Sequence, residues 1–355
     1  DYLRFDGTQT LFNNASTANS LSPLTIARVA AFGFLGANPA AIAIQGSTLT
    51  VAQGQNLSLV GGNQGFIATN PDTGNPIPVP GGITMSGGKL LAPGGQINLV
   101  SVAGPGEVSA TDFLPTPGMA MGNISLSQGA LLDVSADAAG TVRIRGGQLT
   151  IADATISADT VNTNGASIAV DINITGDLTI TDTRGIPAIT ARTTGSGDAG
   201  AVQITSGNLT ATSSFVDPSS LPTALIDTST TGTGKAGSVS ISTGNLTVSG
   251  AIGSQFVFID SGTRGDGNGG DITIKATNID LDQTIISTGD LIARLLGLGP
   301  SGSAGNLSIT ADSLTASNFN FSTEAFAWIV PPQSGGNLTL NVHAIDMLDG
   351  AIGSS

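Results

Sequence analysis

The chain of 355 residues contains no cysteine. That excludes disulfides, thiolate metal centres and a cysteine nucleophile, and it suits a polypeptide that crosses a cell envelope unfolded. There is one histidine, His343, so a histidine-based triad depends on that residue, and no nucleophile–acid set lies near it in sequence. Charged residues make up 10%, with 11 Lys and Arg against 25 acidic residues and a formal net charge of -14. The cations stand singly, as at Lys89, Lys235, Lys275 and Arg294, whereas a polyanion partner needs them clustered, which argues against nucleic acid. Aromatic residues are 4%, too few to favour a sugar-stacking cleft. No run of about 20 apolar residues could span a bilayer as a helix, because the nearest stretch, 24–43, is broken by Arg28 and Pro39. The opening Asp1-Tyr2-Leu3-Arg4-Phe5 carries neither a Met nor a signal peptide, and the closing Asp349-Gly350-Ala351-Ile352 stops partway through a repeat. The expectation is a trimmed portion of a longer polypeptide.

What is abundant is glycine, 50 residues, within a sequence that is 39% hydrophobic. One phrase returns every 31 to 37 residues: Gly200-Ala201-Val202-Gln203-Ile204, Gly237-Ser238-Val239-Ser240-Ile241, Gly270-Asp271-Ile272-Thr273-Ile274, Gly305-Asn306-Leu307-Ser308-Ile309 and Gly336-Asn337-Leu338-Thr339-Leu340. A period of that size marks a solenoid. Each unit is too small to bury its own apolar side, so units stack into one rod. Within 236–270, Val239 and Ile241, then Leu246 and Val248, alternate with small polar residues, and Phe256 to Ile259 forms a third apolar run. Period-two alternation means strands with one buried face, and the intervening residues are too few for a helical crossover. The reading is all-β: a right-handed parallel β-helix of three strands per coil, about ten coils and about 50 Å long at about 4.8 Å per coil. Uneven unit lengths argue against a propeller. The whole of 1–355 reads as one domain, with N-terminal coils over 1–62, a proline-rich excursion over 63–82 and repeat coils over 83–355. The excursion reads as a protruding extended loop, since alternate prolines exclude it from the interior of a ladder.

Insertions collect at 213–235, 262–269, 289–302 and 319–335, which predicts protruding loops on one flank, the default interaction surface. Two are apolar. Leu291, Ile292, Leu295, Leu296 and Leu298 suit a short helix with one apolar side, and Phe319, Phe321, Phe326, Trp328 and Ile329 form an aromatic cluster. Either these segments fold onto the outer sheet or they make a contact patch for another protein. Arg264-Gly265-Asp266 spells a tripeptide that some animal receptors bind. Asp266, Asn268 and Asp271 offer the oxygen donors calcium takes, without the twelve-residue loop of an EF-hand; calcium is the one candidate cofactor. Asp153, Asp159, Asp171, Asp177 and Asp182 are the densest acidic group. Their spacing follows corners, where Asp caps turns, and a polysaccharide lyase or hydrolase would need such carboxylates to converge beside Lys or Arg.

Ala41-Ile42-Ala43-Ile44-Gln45-Gly46, Leu57-Ser58-Leu59-Val60-Gly61-Gly62, Gly87-Gly88-Lys89-Leu90-Leu91-Ala92-Pro93-Gly94-Gly95-Gln96-Ile97 and Gly122-Asn123-Ile124-Ser125-Leu126-Ser127-Gln128-Gly129-Ala130 together resemble the large filamentous-haemagglutinin-like exoproteins of two-partner secretion, especially cyanobacterial ones. The resemblance implies a β-helix whose precursor is exported through an outer-membrane transporter barrel. It would be displayed at, or released from, the surface of a Gram-negative-type bacterium as an adhesin or matrix component. The family's Asn-Pro-Asn-Gly-type secretion motif is not present, and 64–80 is additional to the family's pattern. The functional expectation is a non-enzymatic, extracellular structural and adhesive protein that forms fibre or matrix by end-to-end or lateral self-association and binds a surface glycan or protein receptor. The alternatives are a polysaccharide-degrading β-helix enzyme and a passive spacer stalk for an adhesive tip.

Overall fold

In the computed structural model the described residues are 1–6, 11–13, 28–36, 39–69, 76–79, 81–216, 223–250, 256–291, 302–325 and 334–354. Their named elements are β-strands. The alternation read from the sequence is the alternation of burial: Val239 and Ile241 are buried and Ser240 and Ser242 exposed along Val239–Ser242, and Leu246 and Val248 are the buried residues of Asn245–Ser249. A third strand, Val257–Asp260, and a fourth, Ile272–Lys275, show where the pattern closes. Ile272–Lys275 pairs in parallel not with its sequence neighbours but with Val239–Ser242, one winding earlier, Val239 beside Ile272 and Ile241 beside Ile274.

Each winding therefore contributes one strand to each of three faces: Asn245–Ser249 lies in the first, Val257–Asp260 in the second and Ile272–Lys275 in the third. The second face is a sheet of ten parallel strands, one per winding, from Thr48–Thr50 to Ala351–Gly353. The first and third faces are continuous as a single 17-stranded sheet. In the last two windings, Leu307–Ser317 and Leu338–Leu348 run from third face to first without a break. Register is like on like: Leu209 beside Leu246, Leu246 beside Ile279, Ile279 beside Leu314. One apolar cluster extends from Ile44 to Phe321 through every winding between. Burying each Leu or Ile contributes about 1.5–3 kcal/mol, and it is the neighbouring winding that completes the burial.

The glycine that opens each repeat has a steric cause. A Cβ on Gly237 would lie 2.2 Å from the carbonyl oxygen of Gly200, on Gly270 2.3 Å from that of Gly237, and on Gly305 2.0 Å from that of Gly270. The windings approach so closely at the start of the third face that no side chain fits. The tight corner from first to second face needs one residue in the left-handed region, filled by Gly46, Gly87, Gln128, Asp153, Gln283, Asn318 and Asp349 with φ between 48° and 65°.

Three expectations are corrected. Coils do not fill 1–62: the windings begin at Ile42–Gln45, and Tyr2–Phe5, Leu11–Asn13 and Val29–Phe34 instead form an antiparallel sheet with Gly106–Ser109. That sheet covers the outside of the third face, where Val100 and Val102 pack with Phe34, Val108 and Phe113. Insertions do not share one flank. The stretches 213–235 and 319–335 contain the second-face strands Thr223–Asp227 and Asn320–Ser322, whereas 262–269 lies wholly at the second-to-third corner and a further long connection, 103–122, at the third-to-first corner. For the same reason Phe319 and Phe321 are core residues rather than members of a surface cluster, 5% and 0% exposed with ring centroids 4.8 Å apart. The proline-rich excursion contains a hairpin, Phe66–Thr69 antiparallel to Pro76–Val79. Pro76 and Pro78 alternate, so the backbone positions that lack a donor lie on the hairpin's free edge.

Candidate functional site

The densest polar chemistry lies where the second face turns into the third. At the turn itself an inward hydroxyl binds the chain that returns. Thr228 Oγ1 donates to the Gly237 carbonyl at 2.7 Å, Ser261 Oγ to the same carbonyl at 2.6 Å, Thr288 Oγ1 to that of Gly305 at 2.7 Å and Thr323 Oγ1 to that of Gly336 at 2.8 Å. Two residues after each of the first two of these hydroxyls, Thr230 and Thr263 continue a row of parallel bridges that begins at Thr160 and Thr193. Thr193, Thr230 and Thr263 each close a loop by donating to the carbonyl four residues on, at Gly197, Gly234 and Gly267, over 2.6 to 2.8 Å. The loops stack because glycine carries no Cβ: one on Gly234 would stand 2.0 Å from the Gly197 carbonyl oxygen, and one on Gly267 2.0 Å from that of Gly234.

On this frame stands a ladder of alternating charge. Arg192 Nη2 donates to Asp159 Oδ2 at 2.7 Å, and its Nη1 lies 3.9 Å from Asp227 Oδ2. Arg264 Nη1 lies 4.0 Å from Asp227 Oδ2, and its Nη2 donates to Asp260 Oδ2 at 2.6 Å. Asp227 and Asp260 are partners in register on adjacent windings, 4% and 1% exposed. Asp227 Oδ1 accepts from the Ser229 N–H and hydroxyl at 3.0 and 2.6 Å, and Asp260 Oδ1 from the Gly262 N–H at 3.0 Å. Burial pushes the Asp260 carboxyl up to about 7; the Arg264 cation opposes the shift and the neighbouring Asp227 charge adds to it. A pair of carboxylates flanking the scissile bond is what acid–base cleavage of a polysaccharide requires, and this ladder brings three together. Here, however, the Asp227 and Asp260 oxygens accept from the protein's own donors, and the ladder joins windings.

The sequence-derived candidates disperse over the rod. Arg264 is turned inward to Asp260, Asp227 and the Ser229 hydroxyl, so within the tripeptide Asp266 is exposed while Arg264 and Gly265 are half-buried. Asn268 Oδ1 accepts from the Ser303 N–H at 3.0 Å and Asp271 Oδ1 from the Asn306 N–H at 2.7 Å; both acceptors hold the next winding. Among the described residues no group of three or more His, Asp or Glu is placed to hold a metal ion. Leu291 packs against Phe258 and Ile285, while Leu295, Leu296, Phe326 and Trp328 lie outside the described residues. The five clustered aspartates do not converge. Asp153 caps Thr183, Asp159 pairs with Arg192, Asp171 with Arg143 and Arg145, Asp177 accepts from Asn208, and Asp182 caps the 184–186 turn. His343 is exposed, 3.2 Å from Asp312.

Among the described residues, two cavities lie towards the N-terminal half. One of about 330 Å³ is lined by Tyr2, Leu3, Phe32, Phe34 and Val60. The other, about 230 Å³, is lined by Leu114, Pro115, Met121, Arg145, Asn173 and Thr175, and its one cation, Arg145, is committed to the Asp171 carboxylate and to the Ile144 and Asp171 carbonyls. The charge ladder was the feature sequence reasoning missed. Its trace is Ile226-Asp227 and Ile259-Asp260, each followed after two residues by Thr-x-Gly-x-Gly. Comparisons with protein-family models, curated proteins and solved structures find no match.

Proposed function

We propose that this chain is a right-handed parallel β-helix acting as a structural and adhesive element outside the cell or at the outer surface of a Gram-negative-type bacterium, not as an enzyme. The observation that carries this reading is how the polar groups are used: across successive windings Asn, Asp, Thr and Arg side chains bond to the next winding. Asn245 Nδ2 donates to Asn208 Oδ1 at 2.7 Å and Asn278 Nδ2 to Asn245 Oδ1 at 2.8 Å, continuing from Asn208 to Asp177. A solenoid bonded in this way resists extension along its axis and leaves long, regular faces for contact. The precursor's export through an outer-membrane transporter, self-association of rods, and recognition of a surface glycan or protein receptor belong to the same proposal.

Beads coated with the purified chain test it. Under flow they should be retained on bacterial or glycan-coated surfaces better than albumin-coated beads, with no release of reducing ends from acidic polysaccharides. Retention equal to the albumin control removes the adhesive role, and release of reducing ends moves the assignment to the enzyme class.

A further inference from the structure

We propose that the corner joining the windings of Asp227 and Asp260 is a proton-operated latch, closed while the Asp260 carboxyl holds a proton and loosened when it is charged. The geometry sets the conflict. Register places the two aspartates on neighbouring strands, about 4.8 Å apart along the rod, and both are almost wholly buried. Counted along the ladder, Asp159, Asp227 and Asp260 oppose only Arg192 and Arg264, and Arg192 sits closer to Asp159, 2.7 Å, than to Asp227, 3.9 Å. Two buried like charges, with Arg264 close only to Asp260 and both guanidiniums about 4 Å from Asp227, favour uptake of a proton.

The groups facing Asp260 leave few other sources of compensation. The winding before it supplies Asp227 and the Ser229 hydroxyl; its own winding supplies Arg264 and the Gly262 N–H. The winding after it places uncharged Ser287 in register, with buried Asp290 three residues further on and Glu324 in the winding beyond that, both acidic. The displacement of the Asp260 carboxyl to about 7 agrees with this arrangement.

The sign follows from linkage. Asp260 holds its proton more tightly folded than unfolded, so its contribution is complete below the unfolded value of 3.8 and is lost as pH rises through about 7. Hydrogen exchange on the full chain, corrected for the intrinsic pH dependence of exchange, reads the latch at the amides of Ser229 and Gly262, which cap the two carboxylates. Their opening equilibrium should rise about tenfold per pH unit from about pH 4 to about pH 7 and then level off. Asp260→Asn, whose single amide oxygen keeps the bond from the Gly262 N–H but not the one from Arg264, removes the titrating group and should make the profile flat from pH 4 to pH 8. Asp260→Asn retaining the unmodified chain's pH profile overturns the proposal. Should that variant not fold, infrared spectra of the unmodified chain decide: a protonated carboxyl band at pH 5 that fades towards pH 8 supports the latch, and its absence at pH 5 removes it.

Discussion

The middle of the rod and its N-terminal end are built by different rules. From Asn208–Ser213 to Asn278–Asp282 every first-face strand lies beside its own repeat, one winding away. At the other end, Tyr2–Phe5 and Val29–Phe34 pair antiparallel, and the partner that completes the sheet, Gly106–Ser109, comes from a loop about seventy residues later. In the middle the outer side of the third face is polar, as Gln203, Ser240 and Thr273 stand in register. At the N-terminal end the corresponding side is covered, and all but the first residue of Gln96–Val102 are buried. A repeating sequence specifies contacts with itself. An appended sheet depends on one apolar patch that the rod leaves uncovered.

The largest test of that difference is steric. Gly270→Ala would put a Cβ 2.3 Å from the Gly237 carbonyl oxygen, and because backbone is stacked on backbone neither side can yield. We expect a loss on the order of 3–5 kcal/mol in urea unfolding. Gly54→Ala, in a first-winding turn with φ of 75° and nothing within 4 Å, should cost only about 1 kcal/mol from the left-handed conformation. Equal losses at the two sites would mean that the glycine ladder is not what spaces the windings.

Next comes a pair of aromatic truncations. Phe321→Ala opens the fully buried centre of the rod and should cost about 3–5 kcal/mol, felt throughout the windings because they share one core. Phe34→Ala removes a ring that belongs to the separate cluster with Val100, Val102, Val108 and Phe113. Its loss should accelerate hydrogen exchange in Val29–Phe34 and Gly106–Ser109 while leaving the ten-stranded sheet unchanged. Exchange accelerated equally along the rod would show that sheet and solenoid unfold as one unit.

The same contrast explains what could be read from the sequence. Val202, Val239 and Ile272 announce their stacking because each occupies the same place in its own phrase, and strand direction, one continuous interior and about ten windings follow from that periodicity. The antiparallel sheet had only an indirect trace. Asn98-Leu99-Val100-Ser101-Val102 is apolar on both sides of the strand, which is how two-sided burial looks, but nothing local names Val108 or Phe113 as the cover. The charge ladder was equally hidden. Asp227 and Asp260 are a full winding apart in sequence and meet only through register, and Arg264, read as part of a receptor tripeptide, is turned by the fold onto both. Phe319 and Phe321 misled for a related reason: counting them as an insertion overlooked the two-residue alternation that carries Phe321 inward.

The smallest effect distinguishes the two regions by the sign of their response to acid. Glu107 holds the sheet by accepting from Arg4 Nη2 at 2.9 Å and the Tyr2 hydroxyl at 2.7 Å, and the hydrogen bonds from Arg4 first, then Tyr2, lower its carboxyl from the ordinary 4.5. A depressed folded value means the stabilisation is present above 4.5 and is lost as pH falls through that lower value. Because Arg4 is largely solvated, solvent screens the pair and the effect should be slight. It nevertheless runs opposite to the Asp260 corner, which acid closes. Tyr2 is the chain's single tyrosine, so one carbon-13-labelled ring signal reports the contact. It should titrate with a midpoint below 4.5 and lose that titration in Glu107→Gln. In the same acid range the amides of Ser229 and Gly262 should stay protected. A sheet and a corner that loosened together on acidification would mean that one global transition, not two local carboxylates, governs both regions of the rod.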